Sequence, residues 1–217
     1  SADEAKKPYV EVSGRKGLGV KADDLIDRLE AAALSEVAQR HADMKAEQQE
    51  LTAHAIAVGA LRFFLLKFTR NAIIAFDFED ALSFEGETGP YCQYAVVRIR
   101  GIRRKGADAE ATSVEVTKES VGGFLSGAEG NLFWELLVAA GSLDFAVDAA
   151  IATQEPAFVA KYAFQLAQAF NNFYHKHHIL SEADEQKRAF LLRLTELVEA
   201  QLVRALGLLG IEAPEKM

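Results

Sequence analysis

The sequence predicts a mainly α-helical protein, a helical bundle preceded by a small α-rich connecting segment with at most one short strand. Three observations point there. Apolar residues recur at helical spacing through most of the 217 residues. Only four prolines occur, Pro8, Pro90, Pro156 and Pro214, each where that rhythm changes. Only residues 72–78, AIIAFDF, form the short β-branched and aromatic run expected of a strand. The division falls near residue 82, with 1–82 as the connecting piece and 83–217 as the bundle.

The opening, Ser1 to Val20, is polar and carries Gly14, Gly17 and Gly19 around Arg15-Lys16, which reads as a loop. Asp23-Asp24 stand where N-capping oxygens are wanted, ahead of Leu25, Ile26, Leu29 and Ala33 on one helical face. A second helix runs to about Phe68, with Leu51, Ala55, Val58, Leu61 and Leu65 as its expected buried stripe. FEGETGP (84–90) is turn chemistry, with Thr88 or Gly89 as N-cap and Pro90 at the first helical position of a helix reaching about Lys105. Residues 106–130 are polar and glycine-rich, a flexible excursion. Asn131 can cap a helix holding Phe133, Trp134, Leu137 and Val138, another helix lies near 144–153, and Pro156 opens one reaching Tyr174. The last runs from about Ala183 to Leu206 and is stopped by Gly207 and Gly210.

Composition narrows the class. Half the residues are apolar, enough for a real core, and 26% are charged, which argues against wholesale disorder. A lone cysteine, Cys92, excludes a disulfide scaffold within the chain and fits a reducing compartment. No run approaches the ~18 consecutive apolar residues of a membrane span, and the start is unlike a signal peptide, so a cytoplasmic protein without a membrane partner is expected. Twenty-four Lys+Arg against 32 Asp+Glu leave a net charge of −8, which on its face opposes binding to nucleic acid.

Locally the picture differs. Tyr91, Tyr94 and Arg98 fall at i, i+3 and i+7, so two rings and a guanidinium share a helix face, the equipment for stacking on unpaired RNA bases. Arg98, Arg100, Arg103, Arg104 and Lys105 place five cations within eight residues, a candidate phosphate-binding patch. The same residues also suit a core stripe of tyrosines with a solvated basic helix end that complements the macrodipole. VSGRKG (12–17) joins backbone freedom to two cations and a hydroxyl, which suits a loop over phosphates, yet it lacks P-loop spacing, and such a loop is more often a plain solvated connection. The run HKHH (175–178) has metal-ligating residue types, but on a helix His175 and His178 share a face and His177 does not, so no metal is expected. Cys92 has no neighbouring motif that would make it a nucleophile.

Together these pieces resemble the C-terminal half of class I arginyl-tRNA synthetases. The stretch ALRFFLLKFTRNAIIAFDFEDALSFEGETGPYCQYAVVRIRGI (60–102) resembles the family's entry into its anticodon-binding domain, and its Gly-Glu-Thr-Gly-Pro-Tyr-x-Gln-Tyr-Ala core is the most specific part. LAQAFNNFYHKHHIL (166–180) and the terminal LGLLGIEAPEKM resemble two further family segments. VSGRKGLGVKADDLIDRL resembles the family's degenerate KMSKS loop, in which Ser13 and Lys16 match and the first lysine and the methionine do not.

The resemblance implies a parent enzyme that joins L-arginine to tRNA(Arg) using ATP, with Mg²⁺ assisting. It implies Ser13 and Lys16 at the ATP phosphates. Tyr91, Tyr94 and Arg98 would face the anticodon, with Asn171, Tyr174 and Met217 as further candidates, and Arg100, Arg103, Arg104 and Lys105 would lie along the RNA backbone. Because the HIGH signature and its nucleotide-binding strand are missing from this sequence, the chain is expected to be a C-terminal piece, inactive by itself and without a bound cofactor; a monomer is the default expectation, which no residue pattern decides. Residues 106–130 match none of the family's segments. A helical interaction module that keeps the bundle but not tRNA binding is the alternative.

Overall fold

The computed structural model describes residues 21–107 and 114–217, so the loop holding Ser13 and Lys16 lies outside the described residues. The described residues form α1 (Ala22–Arg40), α2 (Ala46–Leu66), α3 (Phe78–Leu82), α4 (Gly89–Ala107), α5 (Lys118–Ser126), α6 (Gly130–Gly141), α7 (Leu143–Thr153), α8 (Ala157–Lys176) and α9 (Glu185–Leu208), with a 3-10 turn at Ile179–Ser181. The fold is all-helical, as expected.

The helices α1 and α2 make an antiparallel hairpin. Leu29, Ala33 and Val37, spaced by four, bury one face of α1, and Glu30 meets His54 across the pair. Asp23 and Asp24 lie in the first turn of α1, after Lys21 at the N-cap, and act there through the helix dipole rather than as caps. The buried face of α2 is not the expected stripe. Leu51 and Leu65 are exposed, while Ala53, Ile56, Ala57, Ala60 and Phe64 are buried, with Gly59 and Phe63 on an adjoining face. Contact with α1 on one side and α4 on the other selects the small residues, because backbones approach closely only where side chains are short.

Residues 72–77 are not a strand. Among the described residues there is no strand for them to pair with, and the segment is held instead by Phe76, whose ring meets Phe64 and Phe78 edge-on at 4.8 and 5.3 Å. Asp77 then caps α3 by accepting from the N–H groups of Glu79 and Asp80. The turn before α4 closes as the sequence indicated. Gly86 adopts φ +77°, the Thr88 hydroxyl donates to Ser83 O at 2.6 Å, and the same oxygen accepts from Tyr91 N at 3.2 Å.

Cys92, Ala95, Val96, Ile99 and Ile102 of α4 enter the main core, which Phe133, Leu136, Leu166, Phe170, Leu202 and Leu206 complete from α6, α8 and α9. The helices α4 and α8 run side by side in one direction: Tyr91 meets Phe164 and, two turns on, Arg98 meets Asn171. The excursion expected over 106–130 contains a helix. Thr117 caps α5 through Ser120 N, and Val121, Phe124 and Leu125, at i, i+3 and i+4, lean on the core.

Helix α6 begins at Gly130, so Asn131 lies inside it and does not cap it. Asp184 caps α9, and Gly210 at φ +67° ends it, whereas Gly207 is still helical. Gly130–Thr153 is long and apolar enough for a membrane span by length and composition alone. In the fold it is two helices that meet at Ser142 and carry Glu135, Asp144 and Asp148.

Candidate nucleic-acid interface

The capped start of α4 fixes which residues face its neighbour α8. Arg98, seven residues after Tyr91, emerges between the two helices, and its Nη1 donates to Asn171 Oδ1 at 2.6 Å. Its guanidinium carbon lies 4.8 Å from the Tyr94 ring centroid and 5.5 Å from that of Tyr174. The charge is thus met by neutral groups, an amide oxygen and two ring faces, and keeps its capacity for an anion. Tyr174 is backed by Phe170 in a near-parallel stack at 6.0 Å, and Tyr94 stands edge-on to Phe84 at 6.1 Å. Four of the residues picked from sequence, Tyr94, Arg98, Asn171 and Tyr174, are therefore brought together. Tyr91 sits one turn away, half-buried and tilted against Phe164 at 5.5 Å.

Met217 reaches the neighbourhood by another route. It packs beside Ala33, Val37, Ala53 and Ile56 and, with Phe84, Arg40 and Glu36, lines a cavity of about 600 Å³ next to α1 and α3. The Phe84 ring belongs to both places. Tyr94 meets it, and the Arg40 guanidinium lies 5.0 Å from its centroid. Sequence reasoning missed Phe84 and Arg40; the signal for Phe84 was an aromatic residue opening a tight turn just before the tyrosine face.

The remaining cations divide. Arg100 is turned inward, with Nε 2.9 Å from Glu199 Oε1 and Nη1 3.0 Å from Glu215 Oε1, 2.9 Å from Ala213 O and 3.2 Å from Pro214 O. Its charge is already balanced by the protein. Arg103 binds the other oxygen of Glu199 at 2.9 Å and is half-exposed, while Arg104 and Lys105 are exposed on the last turn of α4.

The histidine run is dispersed by the fold. His177 is buried against Phe133 and Phe173, with Nδ1 3.4 Å from Glu129 Oε1, whereas His175 and His178 are exposed. Among the described residues no three His, Cys, Asp or Glu side chains gather to hold a metal. Burial, and secondarily the charge of Glu87, push the Cys92 thiol far above its ordinary range, so it is no nucleophile.

A further residue, Gln93, was not picked from sequence. It is fully buried, and Nε2 donates to Ala55 O at 2.8 Å and Glu212 O at 2.6 Å. It ties α4 to α2 and to the chain terminus. The most specific phrase of the sequence, Gly89-Pro90-Tyr91-Cys92-Gln93-Tyr94, thus serves architecture through Gln93.

Comparison with known proteins agrees with this fold. The arginyl-tRNA synthetase of Thermus thermophilus superposes with a TM-score of 0.81 at 28% identity, over 96% of this chain and 33% of that one. Fold and comparison define the class, an all-helical anticodon-binding domain. Residues 92–217 match the family described as the DALR anticodon binding domain. The chain belongs to that family, in the form carried by arginyl-tRNA synthetases. It is 38% identical over 207 residues to an arginine–tRNA ligase of Streptococcus uberis and 36% identical over 206 residues to one of Limosilactobacillus reuteri. In each case 95% of the chain is covered but 34% of the relative, so the chain spans about a third of the length of the curated relatives it matches.

Proposed function

We propose that Tyr94, Arg98, Asn171 and Tyr174, with Tyr91 and Phe84 beside them and Met217 across the adjoining cavity, receive the unstacked anticodon bases of tRNA(Arg). The observation that carries this reading is an arginine whose charge, among the described residues, is met by an amide and two aromatic faces rather than by a carboxylate. Such a group offers stacking area and a fork of N–H donors to a base edge or phosphate. Arg104 and Lys105, exposed on the same helix, extend the positive end toward the RNA backbone, and Arg103 joins them in part.

The activity served is attachment of L-arginine to tRNA, with ATP as the activating substrate and Mg²⁺ assisting. Ser13 and Lys16 are the residues of this chain proposed to meet the ATP phosphates. Residues 1–82 would connect the reaction centre to the anticodon-binding part, 83–217, in the reducing, cytoplasmic setting expected of a synthetase.

The test is equilibrium binding of the 217-residue chain to tRNA(Arg) and to a second tRNA, at several salt concentrations. Tyr94→Ala and Arg98→Ala should each weaken binding by roughly 5- to 150-fold, the equivalent of about 1–3 kcal/mol per lost stacking contact. Equal affinity for both tRNAs, with neither variant having an effect, would sink the proposal and leave the interaction-module reading.

A further inference from the structure

The last residues of a domain are usually loose unless something ties them down. Here nearly every residue from Leu209 to Glu215 is held. Gly210 turns the chain out of α9 at φ +67°, and a Cβ there would stand 2.3 Å from Arg62 Nη1. Arg62 Nη1 donates to Leu209 O at 3.4 Å, and Gln93 Nε2 to Glu212 O at 2.6 Å. Arg100 Nη1 donates to Ala213 O and Pro214 O and pairs with Glu215, while its Nε is held by the buried carboxylate of Glu199. Two helices, α2 and α4, thus supply side chains to one short tail, with Glu199 of α9 backing Arg100, and Met217 at its end reaches the cavity shared with Phe84.

We propose that Arg100, assisted by Gln93, is a positioning residue. Its fork grips the tail so that Met217 closes the wall of the cavity beside Phe84 and Tyr94, and it acts on RNA binding through that wall, not by touching phosphate. The guanidinium has little exposed surface, with Glu199 and Glu215 already opposite it, so an incoming phosphate would have to displace carboxylates that are in place. Arginine is required rather than any cation, because one flat group bonds Glu199 through Nε and the tail through Nη1 at once. The effect on RNA rests on the anticodon reading above, while the grip on the tail does not.

The chain has only two methionines, Met44 and Met217, so methyl-labelled methionine gives a two-signal NMR spectrum. Arg100→Lys keeps the charge beside Glu199 and loses the fork. The Met217 signal, identified as the one lost on removal of residues 214–217, should then sharpen and move to its free-chain position, whereas Met44, which shares its apolar cluster and a groove with Pro214 and Glu215, should shift but stay broad as a residue still packed between α1 and α2. In tRNA binding, Arg100→Lys, Arg100→Gln and the shortened chain should each lose about tenfold, the size of one base contact. Combining Arg100→Gln with the shortening should lose no more than either alone, and the salt dependence should be unchanged throughout.

An unmoved Met217 in both Arg100 variants overturns the proposal. So do additive losses, or a salt slope lower by about one in Arg100→Gln, the mark of a phosphate contact. If the unaltered chain binds no tRNA, the anticodon reading fails, and the methyl spectrum still decides whether Arg100 holds the tail.

Discussion

His177 is buried at the C-terminal end of α8 among Phe133 and Phe173, and its Nε2 has no hydrogen-bond partner among the described residues. Burial lowers its pKa, Glu129 raises it, Lys187 lowers it again, and the net direction is down. The folded state therefore keeps this imidazole neutral where the unfolded chain, titrating near 6.5, already binds a proton. Stability is fully present above pH ~6.5 and is lost as pH falls toward the folded pKa, by at most ~1.4 kcal/mol per pH unit. The carboxyl of Glu182 is held low by its hydrogen bond to Lys187, so its contribution fades only in more acidic solution. Melting curves between pH 7.5 and 5.5 should show a steeper fall for the unaltered chain than for His177→Asn, and equal slopes would count against this account. At the interface the telling change is Asn171→Asp. It would set a carboxylate against Arg98 Nη1, now 2.6 Å from the amide oxygen, and so neutralise the guanidinium without removing it. Binding to tRNA should weaken by about tenfold and the salt slope should drop by about one, whereas an unchanged slope would show that Arg98 meets no phosphate.

The helices α2 and α4 cross where side chains are absent. A Cβ on Gly89 would lie 2.2 Å from Gly59 O, and one on Gly59 would lie 2.6 Å from Gln93 Nε2. Gly89→Ala meets backbone that has nowhere to move, so it should cost about 2–3 kcal/mol and lower Tm by roughly 5–10 °C. Gly101→Ala on the same helix meets nothing within 4 Å and should stabilise by up to ~1 kcal/mol. A calorimetric scan of both separates packing from propensity; equal shifts would mean that the crossing is not tight. The contrast also shows what was legible in the sequence. Some helix starts were, because their chemistry is local: Thr88 before α4 and Pro156 before α8 sit within a residue or so of where the helices begin, whereas Asp23-Asp24 and Asn131 fall inside the helices they were expected to cap. The buried face of α2 was not, because a helix apolar all round gives no preferred stripe until its neighbours are known. The supposed strand at 72–78 failed because strand composition means nothing without a partner strand, and α5 was hidden by Gly122 and Gly123, whose cost its packed Phe124 and Leu125 offset. At the site, helical spacing placed Tyr94 and Arg98 on one face, but that Arg100 points inward depended on a tail more than a hundred residues away in sequence.

On the scale of the whole molecule, α1, α2 and α3 carry small buried clusters of their own, and contacts also cross the division expected near residue 82. Phe63 of α2 lies in the main core with Cys92 and Leu202, Gln93 of α4 reaches back to Ala55, and Met217 packs among residues of α1 and α2. The chain terminus returns to the beginning of the described chain, so the two pieces share contacts that neither can satisfy by itself. Gln93 shows the consequence: separation of the pieces would exchange its bond to Ala55 O for one to water, a net loss of about 0.5–1.5 kcal/mol, beside the vacancy left by Phe63. The boundary is better proposed as a division of tasks, reaction centre on one side and anticodon on the other, laid over a single cooperative unit. Denaturant unfolding tests this directly, since the one tryptophan, Trp134, reports on α6 and the Met44 methyl reports on the α1–α2 hairpin. The two probes should give coincident midpoints and slopes. A Met44 transition at clearly lower denaturant would mean that α1 and α2 melt off a stable bundle, and that the contacts through Phe63, Gln93 and Met217 are too weak to couple the two pieces.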